Sequence, residues 1–207
     1  MAKLERAVNL TELRSEMVEN DMILEGYAAV FNQPTVLFKD NRGREFKEVI
    51  DRHAFDGCDF SKCCLKYNHE SAIPVLARVR GGSLELNVDD YGLHFRGKLF
   101  NTTTCRDMYE LVKAGGIDEC SFAFVIDAKD GDSYDGKTRT RTLKKITNLF
   151  DVAIVDNPAY GGTSVAARSF FEAEAEKEEM EIKEREEKKK KIMVKIKSIQ
   201  KGESKHE

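Results

Sequence analysis

The sequence predicts a mixed, mainly β fold followed by a charged C-terminal helix, and three observations carry that prediction. Short runs of alternating or apolar β-forming residues, bounded by Gly, Pro, Asn and Asp, recur from Met22 to Val155. Only one internal stretch shows helical spacing, with Met108, Leu111 and Val112 at i, i+3 and i+4. After Ser164 the chain has no Pro and no Gly until Gly202, and residues 172–191 are nearly all Glu, Lys, Arg and Ala.

Residues 1–21 are polar and mixed in charge, with Leu10, Leu13 and Met17 hinting at one short helix at most. Met22 to Phe31 reads as the first strand, and Gly26 within it marks a bulge or a close backbone approach. Asn32-Gln33-Pro34 is turn chemistry, and Phe46 to Ile50 alternates like a half-buried strand. Asp51 to Phe55 reads as a turn or helix start. Cys63 to Tyr67 and Pro74 to Arg80 follow as strands. Leu84–Val88 and Leu93–Leu99 form the clearest hairpin, joined through Asp89-Asp90-Tyr91-Gly92. Thr102 to Thr104 offer N-cap hydroxyls to the internal helix, and Gly115-Gly116 ends it.

An apolar run, Phe122 to Ile126, comes next, with Ser121 at its mouth. Asp130 to Gly136 is a polar turn, and Thr138 to Ile146 is a two-sided strand. It leads into the buried run Leu149–Val155, and Asn157-Pro158-Ala159-Tyr160-Gly161-Gly162 closes the body. In the tail, Glu179–Lys183 and Glu184–Lys188 have the spacing that supports an exposed helix. Ile192, Ile196 and Ile199 return as a short apolar stripe, read either as part of a solvated helix or as a docking face for a partner.

At 207 residues the chain suits one domain with an appendage. Of its 34 Lys+Arg and 37 Asp+Glu, residues 172–207 hold 11 of each. The net charge of −3 therefore belongs to the body, and no basic field for nucleic acid exists. No run approaches the roughly 18 apolar residues of a membrane span, and no leader pattern opens the chain, so a cytoplasmic location is expected. Five cysteines, at 58, 63, 64, 105 and 120, make reduced thiols the default.

Three residues stand out chemically. Ser121 is either a small residue opening a strand or a hydroxyl nucleophile held by a sheet. His69 closes a strand between Asn68 and Glu70, where an imidazole could work as a general base at a sheet rim; His53 and His94 rank below it. Asp151 is the one carboxylate in an otherwise apolar run and needs a partner, either a histidine or a Lys or Arg on the neighbouring strand. Cys120 rivals Ser121 as nucleophile, and strand alternation lets only one of the two face a given site. Cys58-x4-Cys63-Cys64 does not have the spacing of a zinc knuckle, so no metal and no cofactor are expected.

The order of motifs resembles the tailed-phage prohead (procapsid) maturation proteases over roughly residues 22–168. The matching segments are Gly26 to Asn32, Glu48-Val49-Ile50 with Ala54-Phe55, Asn68-His69-Glu70 and the helix from Asp107 to Gly116. They continue with Ser121-Phe122-Ala123-Phe124 and Phe150-Asp151-Val152 ahead of Asn157-Pro158-Ala159-Tyr160. That family is related in fold to herpesvirus assemblin, so the resemblance implies a β-barrel with surrounding helices. It implies Ser121 as nucleophile, His69 as base and Asp151 as third member.

Relatives usually carry Gly at the position of Ala123 and often Met at that of Cys120. Asn157 likewise stands where a Thr-hydrophobic pair is more usual. The implied organisation is a polar segment at 1–21, a serine protease domain at 22–168 and a charged helical tail at 169–207. The implied activity is endopeptidase cleavage of the scaffold segment of the major capsid protein, and of the protease itself, inside the immature capsid in the host cytoplasm. A homodimer is plausible by fold analogy. Two other readings stay open: a non-catalytic assembly scaffold or chaperone of the same fold, and a Cys120-dependent hydrolase.

Overall fold

The structure is a computed structural model that describes residues 4–8, 13–156 and 165–203, with side chains described over 13–156 and 169–193. The chain divides into two compact units, Met1–Arg168 and Ser169–Glu207.

The first unit contains three sheets. One has the order β1-β10-β13-β6-β7, built from β1 (Leu4–Val8), β10 (Glu119–Ile126), β13 (Ile146–Val155), β6 (Cys64–Tyr67) and β7 (Ala77–Arg78). The second has the order β2-β3-β9-β8, from β2 (Arg14–Val18), β3 (Asp21–Val30), β9 (Gly92–Lys98) and β8 (Leu84–Val88). The third has the order β11-β12-β5-β4, from β11 (Asp132–Asp135), β12 (Thr140–Leu143), β5 (Glu45–Ile50) and β4 (Thr35–Lys39). The mainly β class holds. The barrel implied by the resemblance is not closed: the described strands form three separate sheets, each with two free ends to its order.

One apolar cluster joins the sheets. Leu24, Ala28 and Phe95 come from the second sheet, and Leu65, Phe122, Phe124, Val152 and Ile154 from the first. Helix α1 (Thr103–Lys113) adds Cys105, Tyr109 and Val112 along one stripe. Its start follows the sequence closely, because the Thr102 hydroxyl accepts from the Cys105 N–H at 3.2 Å. Gly115 leaves the helix at φ 73°, a conformation that suits glycine.

Several elements differ from the sequence reading. Leu13 to Met17 carry no helix; Arg14–Val18 is a strand whose exposed residues pair with β3. A five-residue strand with little burial has no helical or β signature of its own, so pairing with β3 decides it. Leu10 lies outside the described residues, as do Asn157 to Ser164. The strand expected over Pro74–Arg80 shrinks to Ala77–Arg78 and passes into a 3-10 turn at Val79–Gly81. The polar turn at 130–136 contains β11, and the two-sided strand from Thr138 is broken between Leu143 and Ile146. The bulge in β3 falls at Ala28, because Tyr27 pairs with His94 and Ala29 with Leu93.

The described part of the second unit is one helix, α2 (Val165–Glu203), whose first four residues precede the division at Ser169 in the chain. Its 39 residues span about 58 Å at the α-helical rise. Glu184 and Lys188 approach to 3.9 Å across one turn, as their spacing predicts. Ile192 and Met193 are exposed, while the side chains of Ile196 and Ile199 lie outside the described residues. No described helix is long and apolar enough to cross a membrane.

Candidate active site

Residues paired across a sheet share a face, and successive residues alternate between faces. In the first sheet Ser121 pairs with Ala153, and Ala153 with Lys66. One pleat along, Ala123 pairs with Asp151, and Asp151 with Cys64. These six residues therefore line one face. The other face carries Cys120, Phe122, Val152, Ile154 and Leu65, all in the apolar cluster. Small side chains at Ala123 and Ala153 keep the first face low between its polar groups.

A bulge brings Asp151 to that face. Between Ala123↔Asp151 and Phe124↔Leu149, β13 spends two steps against one of β10, and Phe150 is the extra residue. Phe150 turns partly outward, at 37 % exposure. Leu149 thus faces the core while Asp151 keeps its place among apolar neighbours. This is why a run that reads as uniformly buried can hold a carboxylate.

His69 bridges the two polar residues. Its Nε2 lies 2.6 Å from Ser121 Oγ, and its Nδ1 lies 2.5 Å from Asp151 Oδ1. Lys66 Nζ stands 3.9 Å from the second carboxylate oxygen. Ser121 and Asp151 are buried at 3 % and 1 % exposure. An ionised carboxylate can only accept, so a neutral imidazole facing it carries its proton on Nδ1. The Nε2 lone pair is then left to accept from the Ser121 hydroxyl. An arrangement of this kind can remove a proton from Ser121 and hold the resulting imidazolium beside a fixed negative charge.

The three residues singled out from sequence are thus brought together, and the remaining candidates are elsewhere. His53 Nδ1 pairs with Asp56 at 3.1 Å on the surface. The His94 ring lies edge-on to Tyr27 at 5.1 Å. Cys120 is fully buried on the opposite face, and burial, with the Glu119 carboxylate behind it, pushes its thiol far up from its ordinary range. Cys63 is raised in the same way, by burial first and then by Cys64 and Asp151. Among the described residues no group of His, Cys, Asp and Glu could hold a metal ion. Ser121 itself is the third residue of β10 rather than a residue ahead of the strand, so two pairing strands fix its backbone.

Sequence reading did not single out Lys66, Tyr67 or Asp156. A cation on the neighbouring strand is one partner the sequence allows Asp151, and Lys66 fills that place, two residues along β6 from Cys64, the residue paired with the carboxylate. Tyr67 Oη donates to Asp156 Oδ2 at 2.5 Å, and Asn68 Nδ2 donates to Asp156 Oδ1 at 2.9 Å. The only local signal was a carboxylate placed where the apolar run of β13 ends.

No curated protein and no solved structure matches the chain. The family model described as caudovirus prohead serine protease matches residues 9–193, most of the 207-residue chain. The chain belongs to the caudovirus prohead serine protease family.

Proposed function

We propose that the protein is a prohead maturation endopeptidase whose catalytic residues are Ser121, His69 and Asp151. The observation that carries this reading is the continuous hydrogen-bonded line from Ser121 Oγ through the His69 ring to Asp151 Oδ1, at 2.6 and 2.5 Å. Family membership supplies the reaction class. His69 Nε2 takes the Ser121 proton as Oγ attacks a peptide carbonyl, and backbone N–H groups stabilise the oxyanion. The imidazolium, held by Asp151, then protonates the leaving amine. Water attacks the acyl-enzyme with His69 again as base, which returns the proton to Ser121. Lys66 Nζ places a positive charge 3.9 Å from the outer oxygen of Asp151.

The burial and raised thiol of Cys120 support Ser121 over Cys120 as nucleophile. Residues 22–168 are the protease domain, and the substrates are the scaffold segment of the major capsid protein and the protease itself. The charged helix over residues 169–207 directs the enzyme into the immature capsid by pairing with scaffold helices. Its exposed Ile192 and Met193 support that role.

The test is co-expression with the cognate major capsid protein, followed by intact-mass spectrometry of both chains. Ser121→Ala should abolish every cleavage while procapsids still assemble, and deletion of residues 172–207 should leave the protease outside them. Cleavage persisting in Ser121→Ala would overturn the assignment. Absence of cleavage in the wild type would favour an assembly-scaffold role.

A further inference from the structure

The loop that carries His69 has an unusual backbone. Strand β6 ends at Tyr67, and the next two residues, Asn68 and His69, both take left-handed conformations, at φ 48° and 56°. Asparagine visits that region more readily than most residues, but two such residues in succession without glycine are strained. Such a conformation persists only where neighbouring structure over-determines it.

The neighbouring structure is the end of β13, the strand that also carries Asp151. Asn68 N donates to the Ile154 carbonyl at 3.0 Å, and its side chain closes a ring with Asp156. In that ring Nδ2 donates to Oδ1 at 2.9 Å, and the Asp156 N–H donates back to Asn68 Oδ1 at 3.3 Å. The other oxygen of Asp156 accepts from Tyr67 Oη at 2.5 Å. That carboxylate pushes the Tyr67 phenol up from its ordinary range, so the hydroxyl stays a donor. The Glu70 N–H closes the turn on the Tyr67 carbonyl at 2.9 Å.

We propose that Asp156 is a positioning residue for catalysis, clamping Tyr67 and Asn68 so that the left-handed turn presents His69 Nε2 to Ser121. The inference rests on the triad reading above. Asp156 touches neither Ser121 nor His69 in these bonds and acts through the loop. Asp151 lies on β13 and Asp156 directly follows that strand's last residue, so one stretch of chain sets the position of the imidazole and its tautomer together. The clamp bonds are solvent-exposed, and exposed polar contacts contribute little to global stability. Loss of the clamp should therefore loosen the loop without unfolding the sheet.

The test uses the full chain and a fluorophosphonate. Ser121 Oγ forms the P–O bond, the P–F bond breaks, fluoride leaves and His69 takes the serine proton. Asp156→Ala should slow the limiting phosphonylation rate about 10²-fold, as a 1 Å misplacement does. The half-saturating probe concentration should be unchanged and Tm little moved. The far-downfield proton resonance of the His69 Nδ1–H bond should broaden or vanish. Tyr67→Phe, which keeps the loop's size, should slow the reaction about tenfold and carries the test if Asp156→Ala fails to fold. A reactive wild type with both variants within twofold of it would overturn the clamp alone. A wild-type chain that ignores the fluorophosphonate would overturn the triad and the clamp together.

Discussion

Replacing Asp151 by asparagine tests the orientation of His69 more sharply than removing the serine does. The side-chain shape is kept, and so is a group able to bond Nδ1. What changes is which atom faces the ring. Lys66 Nζ, a cation with donors only, stands 3.9 Å from the outer carboxylate oxygen. An amide at this position turns its oxygen toward Lys66 and its NH2 toward His69. Nδ1 must then accept, the ring proton moves to Nε2, and the nitrogen 2.6 Å from Ser121 Oγ can no longer take a proton. In serine triads the carboxylate-to-amide change lowers kcat about 10⁴-fold, or about 5 kcal/mol of transition-state stabilisation. The same magnitude is expected here, against a stability loss of only about 1–3 kcal/mol for one altered buried hydrogen bond. Fluorophosphonate labelling rates measure the first quantity and urea unfolding the second. Adding Lys66→Met should let the amide flip back and recover at least about tenfold, roughly 1.4 kcal/mol. Labelling of Asp151→Asn within tenfold of wild type, with the fold intact, would refute the tautomer argument.

Two further outcomes follow from the fold. A Cβ on Gly92 would sit 2.0 Å from the Ala29 carbonyl oxygen and 3.1 Å from Val30 Cα, both backbone. Gly92→Ala should therefore strain the β3–β9 pairing by about 1–3 kcal/mol or more, and an unchanged Tm would contradict this close approach. Stability should also fall with alkaline pH. Burial, helped by the Asp59 carboxylate, pushes the Cys58 thiol up to about 12, and Cys63 and Cys120 are raised too. Between the unfolded thiol value of 9.0 and about 12 the folded chain holds protons that the unfolded chain releases, so each rise in pH favours unfolding. Urea midpoints taken across that window should decline, and less steeply in Cys120→Ala; identical slopes would count against the burial of that thiol.

Much of this protein was legible in its sequence, where the information was local. The β8–β9 hairpin, the Thr102 cap and the Gly115 stop follow from turn chemistry and side-chain spacing, which act over a few residues. The three polar residues of the site were legible as anomalies: a hydroxyl at a strand, an imidazole at a strand end and a carboxylate in an apolar run. What joins them was not. Ser121, His69 and Asp151 come from three separate stretches of chain; the β13–β10 register places Ser121 and Asp151 on one face, and the turn after β6 brings the His69 ring between them.

Tertiary pairing also decided the elements whose own residues were indifferent. β2 is largely exposed and becomes a strand through β3. The Phe150 bulge, which sends Asp151 to the site and Leu149 to the core, depends on how β13 matches β10 and leaves no mark in either strand's composition. The left-handed turn at Asn68–His69 likewise needs Asp156, 87 residues further along the chain than His69, to hold it. Side-chain chemistry sets which residues are able to react. Long-range register sets which of them meet, because a one-residue slip in a strand exchanges its two faces.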